Sequence, residues 1–253
     1  MKFMRYLYED TRTLYDVFRR GARVSSIFTF PNRQPSICQA NPLTCPDIDN
    51  GPCLGWREDP TKQYQWMRYE ETLLRAQNLG SGLVALGLKP TPDTLVGVYG
   101  QNSPEWVLSE YALYSFSMVI VPLYDTLGPE ACNYIINQGI NTLVMMVLSV
   151  LFSLNQYYKN KQPLNSPFIG LIYVAEMSLV ICDNEDKCKS LLNNAPSCLK
   201  QLVHIKPISK ETIELAKRKG INTLSFEYVE NLGAEKKHGP VVCRVYISEC
   251  QLY

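Results

Sequence analysis

Two strings near the middle of the chain, Gly97-Val-Tyr-Gly-Gln-Asn-Ser-Pro-Glu-Trp106 and Val119-Ile-Val-Pro-Leu-Tyr-Asp-Thr-Leu-Gly128, narrow the choice of fold more than any other feature. Each is a short apolar run that turns sharply and then opens a helix. Thr94 to Gly100 is β-branched and reads as a buried strand. Ser103 is placed to cap the next helix, with Pro104 at its first position and Glu105 in its first turn, where a carboxylate complements the helix dipole. Trp106 to Met118 is apolar nearly all round, so this helix should be covered on most sides. Val119 to Tyr124 reads as the next buried strand, Asp125 and Thr126 as the turn, and Pro129 opens a helix through Ile136. Strand, helix, strand, helix at this spacing predicts a parallel sheet with right-handed crossovers.

The pattern extends both ways. Upstream, Glu9 to Val24 predicts an amphipathic helix with Leu14, Val17 and Phe18 on one side. Ser26 to Asn50, with Pro31, Pro35, Pro42 and Pro46, is a loop by composition, long for a compact domain. Tyr64 to Tyr69 alternates like a strand. A helix follows, with Tyr69, Leu73, Ala76, Gly80, Leu83 and Gly87 along one face, Gly87 as its C′ residue and Pro90 blocking continuation. Gly80 and Gly82 lack the G-x-G-x-x-G spacing of a dinucleotide site and read as close helix-packing positions. Downstream, Met177 to Cys182 predicts a strand, Glu185 to Leu192 a helix, Leu202 to Ile205 a strand and Ser209 to Lys219 a helix ending at Gly220. Thr223 to Tyr228 predicts a last extended segment, after which periodicity fades.

Several function classes drop out on composition. A formal net charge of +1 over 253 residues, with scattered lysines and arginines, gives no electrostatic case for nucleic acid. Nine cysteines without a C-x-x-C pair, and two histidines far from ligand-like spacing, predict free thiols and no metal site. The first ten residues have no apolar stretch of the signal-peptide kind. The apolar run Leu143 to Leu154 is short of the roughly 20 residues that span a bilayer; it reads as a buried element, with a membrane-lying segment as the alternative. No Ser-His-Asp or Cys-His set is legible, so no catalytic residue is assigned.

The strings Gln101-Asn-Ser-Pro-Glu-Trp106 and Met118-Val-Ile-Val-Pro-Leu-Tyr-Asp-Thr-Leu-Gly128 resemble the N-terminal part of the long-chain acyl-CoA synthetases, within the adenylate-forming (AMP-binding) superfamily. The resemblance also takes in Asp10 to Phe18, Asn50 to Gly55, Tyr64 to Gln138, and Ala175 to about Leu232. It implies an α/β fold: part of a doubly wound parallel sheet with flanking helices, as in the N-terminal domain of adenylate-forming enzymes. It implies one incomplete N-terminal AMP-binding-type domain over 1–253, with insertions near 26–48 and 139–174 and a divergent tail from about 239. The flanks of both insertions would rejoin smoothly, which suggests that they and the tail derive from unspliced intervening sequence or an alternative transcript, with lineage-specific loops as the alternative.

The implied family reaction joins fatty acid, ATP and coenzyme A into acyl-CoA, AMP and pyrophosphate. The complete family enzyme is expected to use ATP, Mg and CoA as cofactors. The Ser/Thr- and Gly-rich phosphate loop ending in Pro-Lys-Gly does not occur in these 253 residues. The chain alone is therefore expected to hold none of these cofactors and to be inactive. Its motif residues are Asn102, Glu105 and Trp106, and Tyr124, Asp125 and Thr126. All are expected to cap and shape turns, the second trio at the strand end where open α/β sheets bind ligands. The partners implied are fatty acid and CoA, with room for peripheral membrane association. The compartment implied is the cytoplasm or the surface of the endoplasmic reticulum or outer mitochondrial membrane. The alternative is a non-catalytic interaction or acyl-binding module.

Overall fold

The structure, a computed structural model, describes residues 8, 10–24, 50–123, 128–138 and 177–242. It divides into two compact units. One comprises Met1–Thr91, Asn102–Met118 and Glu227–Tyr253; the other comprises Pro92–Gln101 and Val119–Phe226.

The second unit holds the parallel sheet. Its strands are β3 (Leu95–Tyr99), β4 (Val119–Leu123), β5 (Leu179–Cys182), β6 (Gln201–His204) and β7 (Asn222–Ser225), in spatial order β4-β3-β5-β6-β7 and parallel throughout. Helices α4 (Gly128–Gln138), α5 (Glu185–Asn193) and α6 (Lys210–Arg218) belong to the same unit. Alternate strand residues Leu95, Tyr99, Val121, Leu123, Val180, Cys182 and Leu202 meet Cys132 and Ile136 of α4, Cys188, Leu191 and Leu192 of α5, and Ala216 of α6 in one core. Gly97 sits in that row because a Cβ there would press within 3.1 Å of Val180 and 3.2 Å of Leu123. The predicted alternation is thus borne out.

One detail differs. Val119–Leu123 is an edge strand, not a fully buried one, and Val119 is 37% exposed. The Val119 N–H donates to the Thr94 carbonyl (2.9 Å), so alternate residues face β3 and Pro122 faces outward. Proline lacks an N–H and is tolerated there for that reason.

The first unit contains α1 (Leu14–Val24), the antiparallel pair β1 (Pro52–Trp56) and β2 (Gln65–Arg68), α2 (Tyr69–Ala85), α3 (Pro104–Ser115) and, from Glu227 on, α7 (Phe226–Glu235). Gly80 and Gly82 are packing glycines, as expected. A Cβ on Gly80 would strike the Phe116 ring, and one on Gly82 the Val229 carbonyl of α7. Gly233 returns the fit, since a Cβ there would strike the Asn78 carbonyl. Arg75 of α2 grips Glu230 of α7 through two bonds, at 2.9 and 3.1 Å. The expected caps form: Gly87 and Gly220 both take positive φ, 99° and 71°, and close Schellman turns on Leu83–Val84 and Ala216–Lys217.

Two expectations need correcting. Leu14 and Val17 of α1 are exposed, at 57% and 51%; the buried pair is Tyr15 and Phe18. Aromatic stacking decides this: Phe18 lies 3.8 Å from the Tyr111 ring, nearly parallel, and 5.5 Å from Tyr69. The segment after β7, where periodicity faded, is the helix α7. Its buried stripe of Phe226, Val229 and Gly233 contains a glycine that serves close approach. The suggested insertions near 26–48 and 139–174, and with the latter the apolar run Leu143–Leu154, lie outside the described residues.

Beyond α7 the chain runs back over the helix pair. Ser81, buried in α2, donates to the Lys236 carbonyl (2.7 Å) and accepts from the His238 N–H (2.8 Å). Val241 donates its N–H to the Ser115 carbonyl (2.9 Å), and the Ser117 hydroxyl donates to the Val241 carbonyl (2.6 Å). Ser117 has φ 56° and ends α3 as a left-handed C′ residue. Among the described residues, no helix is long and apolar enough to cross a membrane.

Candidate functional site

In an open parallel sheet, ligands gather outside the carboxyl ends of strands where the winding reverses. Here that point lies at β3. The chain steps from β3 to β4 on one side, then returns to β5 on the other and continues to β6 and β7.

At the carboxyl end of β3 and β5 the sequence builds a polar cluster from local parts. Tyr99 ends β3, and Gly100–Gln101 turn away from it. Asp183 follows β5, its N–H donating to the Tyr99 carbonyl (3.1 Å) as a last rung of the ladder. Its carboxylate Oδ2 accepts from the Gln101 N–H (3.0 Å) and from Lys187 Nζ (2.9 Å). Asn184 caps α5 by accepting the Lys187 N–H (3.0 Å), which sets Lys187 in the first turn, four residues from Asp183. The Lys187 ammonium also lies 5.2 Å from the Tyr99 ring centre, on its face. Both charged side chains are only 10% exposed. Asp183 Oδ1 is buried and finds no hydrogen-bonding partner among the described residues. A Cβ on Gly100 would lie 3.1 Å from the Asp183 Cβ, so the turn rests directly on the carboxylate.

Beneath the cluster, Cys182 and Cys188 are buried neighbours. Burial pushes the Cys182 thiol well above its ordinary range, and the Cys188 thiol beside it adds to the rise. Burial favours the neutral form of this thiol, and its side chain packs in the core. Across α5, the Glu185 carboxyl is lowered to about 2 because it accepts from the Ser209 and Thr212 hydroxyls and from Lys189.

The other residues singled out by sequence fall as follows. Asn102, Glu105 and Trp106 lie together at the start of α3. Ser103 Oγ accepts the Trp106 N–H (3.2 Å), making the expected cap, and the Glu105 carbonyl accepts from Ser109 Oγ (2.7 Å). Asn102 is exposed, while Glu105 and Trp106 are half-buried. Tyr124, Asp125 and Thr126 lie outside the described residues. Asp183 and Lys187 were not singled out. The available signal was an acid–base pair four residues apart, straddling a strand end and a helix cap.

Among the described residues, no group of three or more His, Cys, Asp or Glu side chains could hold a metal ion. A nucleotide triphosphate fits this cluster poorly. Its cation, Lys187, is turned inward onto Asp183 and Tyr99, and the buried Asp183 oxygen would repel a phosphate. Among the described residues, the Asp183–Lys187 pair orients the turn at Gly100–Gln101.

Comparison with known proteins fits this architecture. The family model for AMP-binding enzymes matches residues 52–224. Long-chain-fatty-acid–CoA ligase 5 of Rattus norvegicus is 34% identical over 240 residues, which is 93% of this chain and 26% of that protein. Ligase 6 of Homo sapiens is 33% identical over 244 residues, covering 95% of this chain and 26% of its own length. The chain spans about a quarter of the length of these relatives. Among solved structures, the adenylation domain of a carboxylate reductase from Mycobacterium chelonae has the same fold, with a TM-score of 0.51 at 13% identity over 92% of this chain and 31% of that one. The family match runs from β1 through the last strand of the sheet, and on that ground the chain belongs to the AMP-binding enzyme family.

Proposed function

We propose that this polypeptide is the N-terminal part of a long-chain-fatty-acid–CoA ligase architecture and forms no acyl-CoA by itself. The observation that carries the reading is the similarity to such ligases along 93% of the chain and only 26% of theirs. In the reaction implied, a fatty carboxylate attacks the α-phosphorus of ATP and releases pyrophosphate. The CoA thiol then attacks the acyl carbonyl and releases AMP. ATP and magnesium would supply the activation and its charge neutralisation, and CoA the acceptor thiol. Among the described residues, Asp183 and Lys187 shape the sheet-end turn and offer a phosphate a buried carboxylate oxygen and an inward-turned cation. Positioning and electrostatics account for most catalysis of this kind, so their loss costs many orders of magnitude.

The test is direct. Purified chain is incubated with a long-chain fatty acid, Mg-ATP and CoA, and acyl-CoA is measured by mass spectrometry. No product above background is expected; turnover that survives repurification would overturn the reading.

A second reading, a non-catalytic interaction or acyl-binding module, is favoured by the return of residues 236–242 onto α2 and α3. That docking leaves the chain's last described stretch tied down. Saturable binding of a fluorescent long-chain acyl probe, without turnover, would support it. The proposed insertions are tested separately by detecting, in the native protein, the tryptic peptide Gln162–Lys187. A peptide joining Gln138 directly to Ala175 would show that the stretch between them is absent from the mature protein.

A further inference from the structure

The chain contains a single Asn-Gly step, Asn50–Gly51. Asparagine loses its side-chain amide when the main-chain nitrogen of the next residue reaches its Cγ. Glycine obstructs that approach least, having no Cβ and the widest range of backbone angles. Here the step stands at a structural joint. Arg68, the N-cap residue of α2, gives no side-chain cap. The cap comes from Asn50: its Oδ1 accepts the Glu70 N–H (2.9 Å), while its Nδ2 donates to Glu70 Oε2 (3.2 Å). The backbone on either side is pinned as well. The Asn50 carbonyl accepts from Arg68 Nη1 (2.6 Å), and the Gly51 carbonyl accepts the Tyr69 N–H (3.1 Å).

We propose that Asn50 is a site of spontaneous deamidation and that its two-point hold on Glu70 sets the rate. The Gly51 nitrogen attacks Asn50 Cγ, losing its proton as the Cγ–Nδ2 bond breaks and ammonia leaves. Water then opens the cyclic imide at one of its two carbonyls, giving aspartate or isoaspartate. While Glu70 grips both ends of the carboxamide, the side-chain rotation that would bring Cγ onto the Gly51 nitrogen is restrained. Release of the grip frees it. The conversion also feeds back on the joint. Aspartate keeps a capping oxygen but replaces the donor to Glu70 with a second carboxylate, and two carboxylates at hydrogen-bonding distance repel. Isoaspartate adds a methylene to the backbone and moves the cap off the helix end. The joint between β1 and α2 is therefore loosened by its own ageing.

The experiment incubates the full chain at mildly alkaline pH and follows the tryptic peptide Gln34–Arg57 by mass and by isoaspartate-sensitive chromatography. A synthetic peptide of residues 44–57 gives the unheld rate. The expected result is slow conversion at Asn50 in the folded chain, several-fold slower than in the peptide. Glu70→Ala, which removes the acceptor for Nδ2 and leaves the backbone N–H on Oδ1, should raise the rate several-fold. Glu70→Gln, which keeps an acceptor for Nδ2, should stay close to the parent. Circular dichroism checks that each variant is folded, and Glu70→Gln against Glu70→Ala separates loss of the grip from loss of the fold. Equal rates in chain and peptide, indifference to Glu70→Ala, or faster conversion at the exposed Asn102–Ser103 step would each overturn the proposal.

Discussion

Removing the Asp183 carboxylate would take the ion-pair partner from the Lys187 ammonium where water hardly reaches it, and the acceptor from the Gln101 N–H at the same time. Breaking one side of a buried pair costs about 3–5 kcal/mol, because the remaining charge is uncompensated. Asp183→Ala should therefore lower the unfolding free energy in urea by about 3 kcal/mol. The double change with Lys187→Met should recover part of that loss, and strictly additive losses would contradict the coupling. Glu185 acts in the acid range. The Ser209 and Thr212 hydroxyls and Lys189 hold its carboxyl at about 2, below its unfolded value. The stability it contributes is complete above the unfolded value and is lost as pH falls through about 2. Glu185→Gln should flatten that part of the acid-unfolding curve, and an unchanged acid limb would show that the three donors do not act on it. Asp183 illustrates why sequence stops short at this scale. Lys187 is four residues away and visible, but Gln101 lies 82 residues upstream and enters only through the sheet register. The Ser103–Trp106 cap was legible because all its parts are local.

Helices here are joined by missing side chains as much as by present ones. Gly82 and Gly233 bring α2 and α7 together backbone to backbone, and a methyl group at Gly82 would collide with the Val229 carbonyl. Overpacking of this kind costs about 1–3 kcal/mol when the backbone must shift. Gly82→Ala should lose that much in chemical denaturation, whereas a loss below about 0.5 kcal/mol, the usual range of surface substitutions, would mean the helices part without resistance. In contrast, Gly87 meets nothing and is constrained only by its positive φ. That difference explains which elements could be foreseen. Gly87 and Gly220 end helices by a local rule and were placed correctly. Gly233 lies within α7 for a reason that exists only in the packed molecule, so α7 was missed. Similarly, the apolar stripe of α1 was legible as a stripe, but its facing was set by Tyr111 and Tyr69, which no window around Leu14 contains.

At the scale of the molecule, the alternation of strand and helix was written in the sequence from Leu95 to Arg218, and the strand order was not. Order depends on which neighbour each strand meets, and β5 passes over β4 to pair with β3. The returning segment 236–242 was likewise unforeseen, because it is held through Ser81 and Ser117 and not by any apolar pattern. Its hold is testable by proteolysis, which reads local opening. Ser81→Ala removes the hydroxyl that both Lys236 and His238 use. Trypsin should then cut after Lys236 and Lys237 faster than in the parent chain, with overall unfolding little changed. Equal cutting rates would mean the segment is held elsewhere. Pro122 has a consequence on this scale too. With its ring turned outward, β4 offers an arriving strand a gap where a donor should be, whereas β7 turns the Thr223 N–H outward, since Asn222 bonds inward to Lys200. Among the described residues the sheet thus has one border short of a donor at Pro122 and one that keeps its donor at Thr223, and an added strand is better matched beside Thr223.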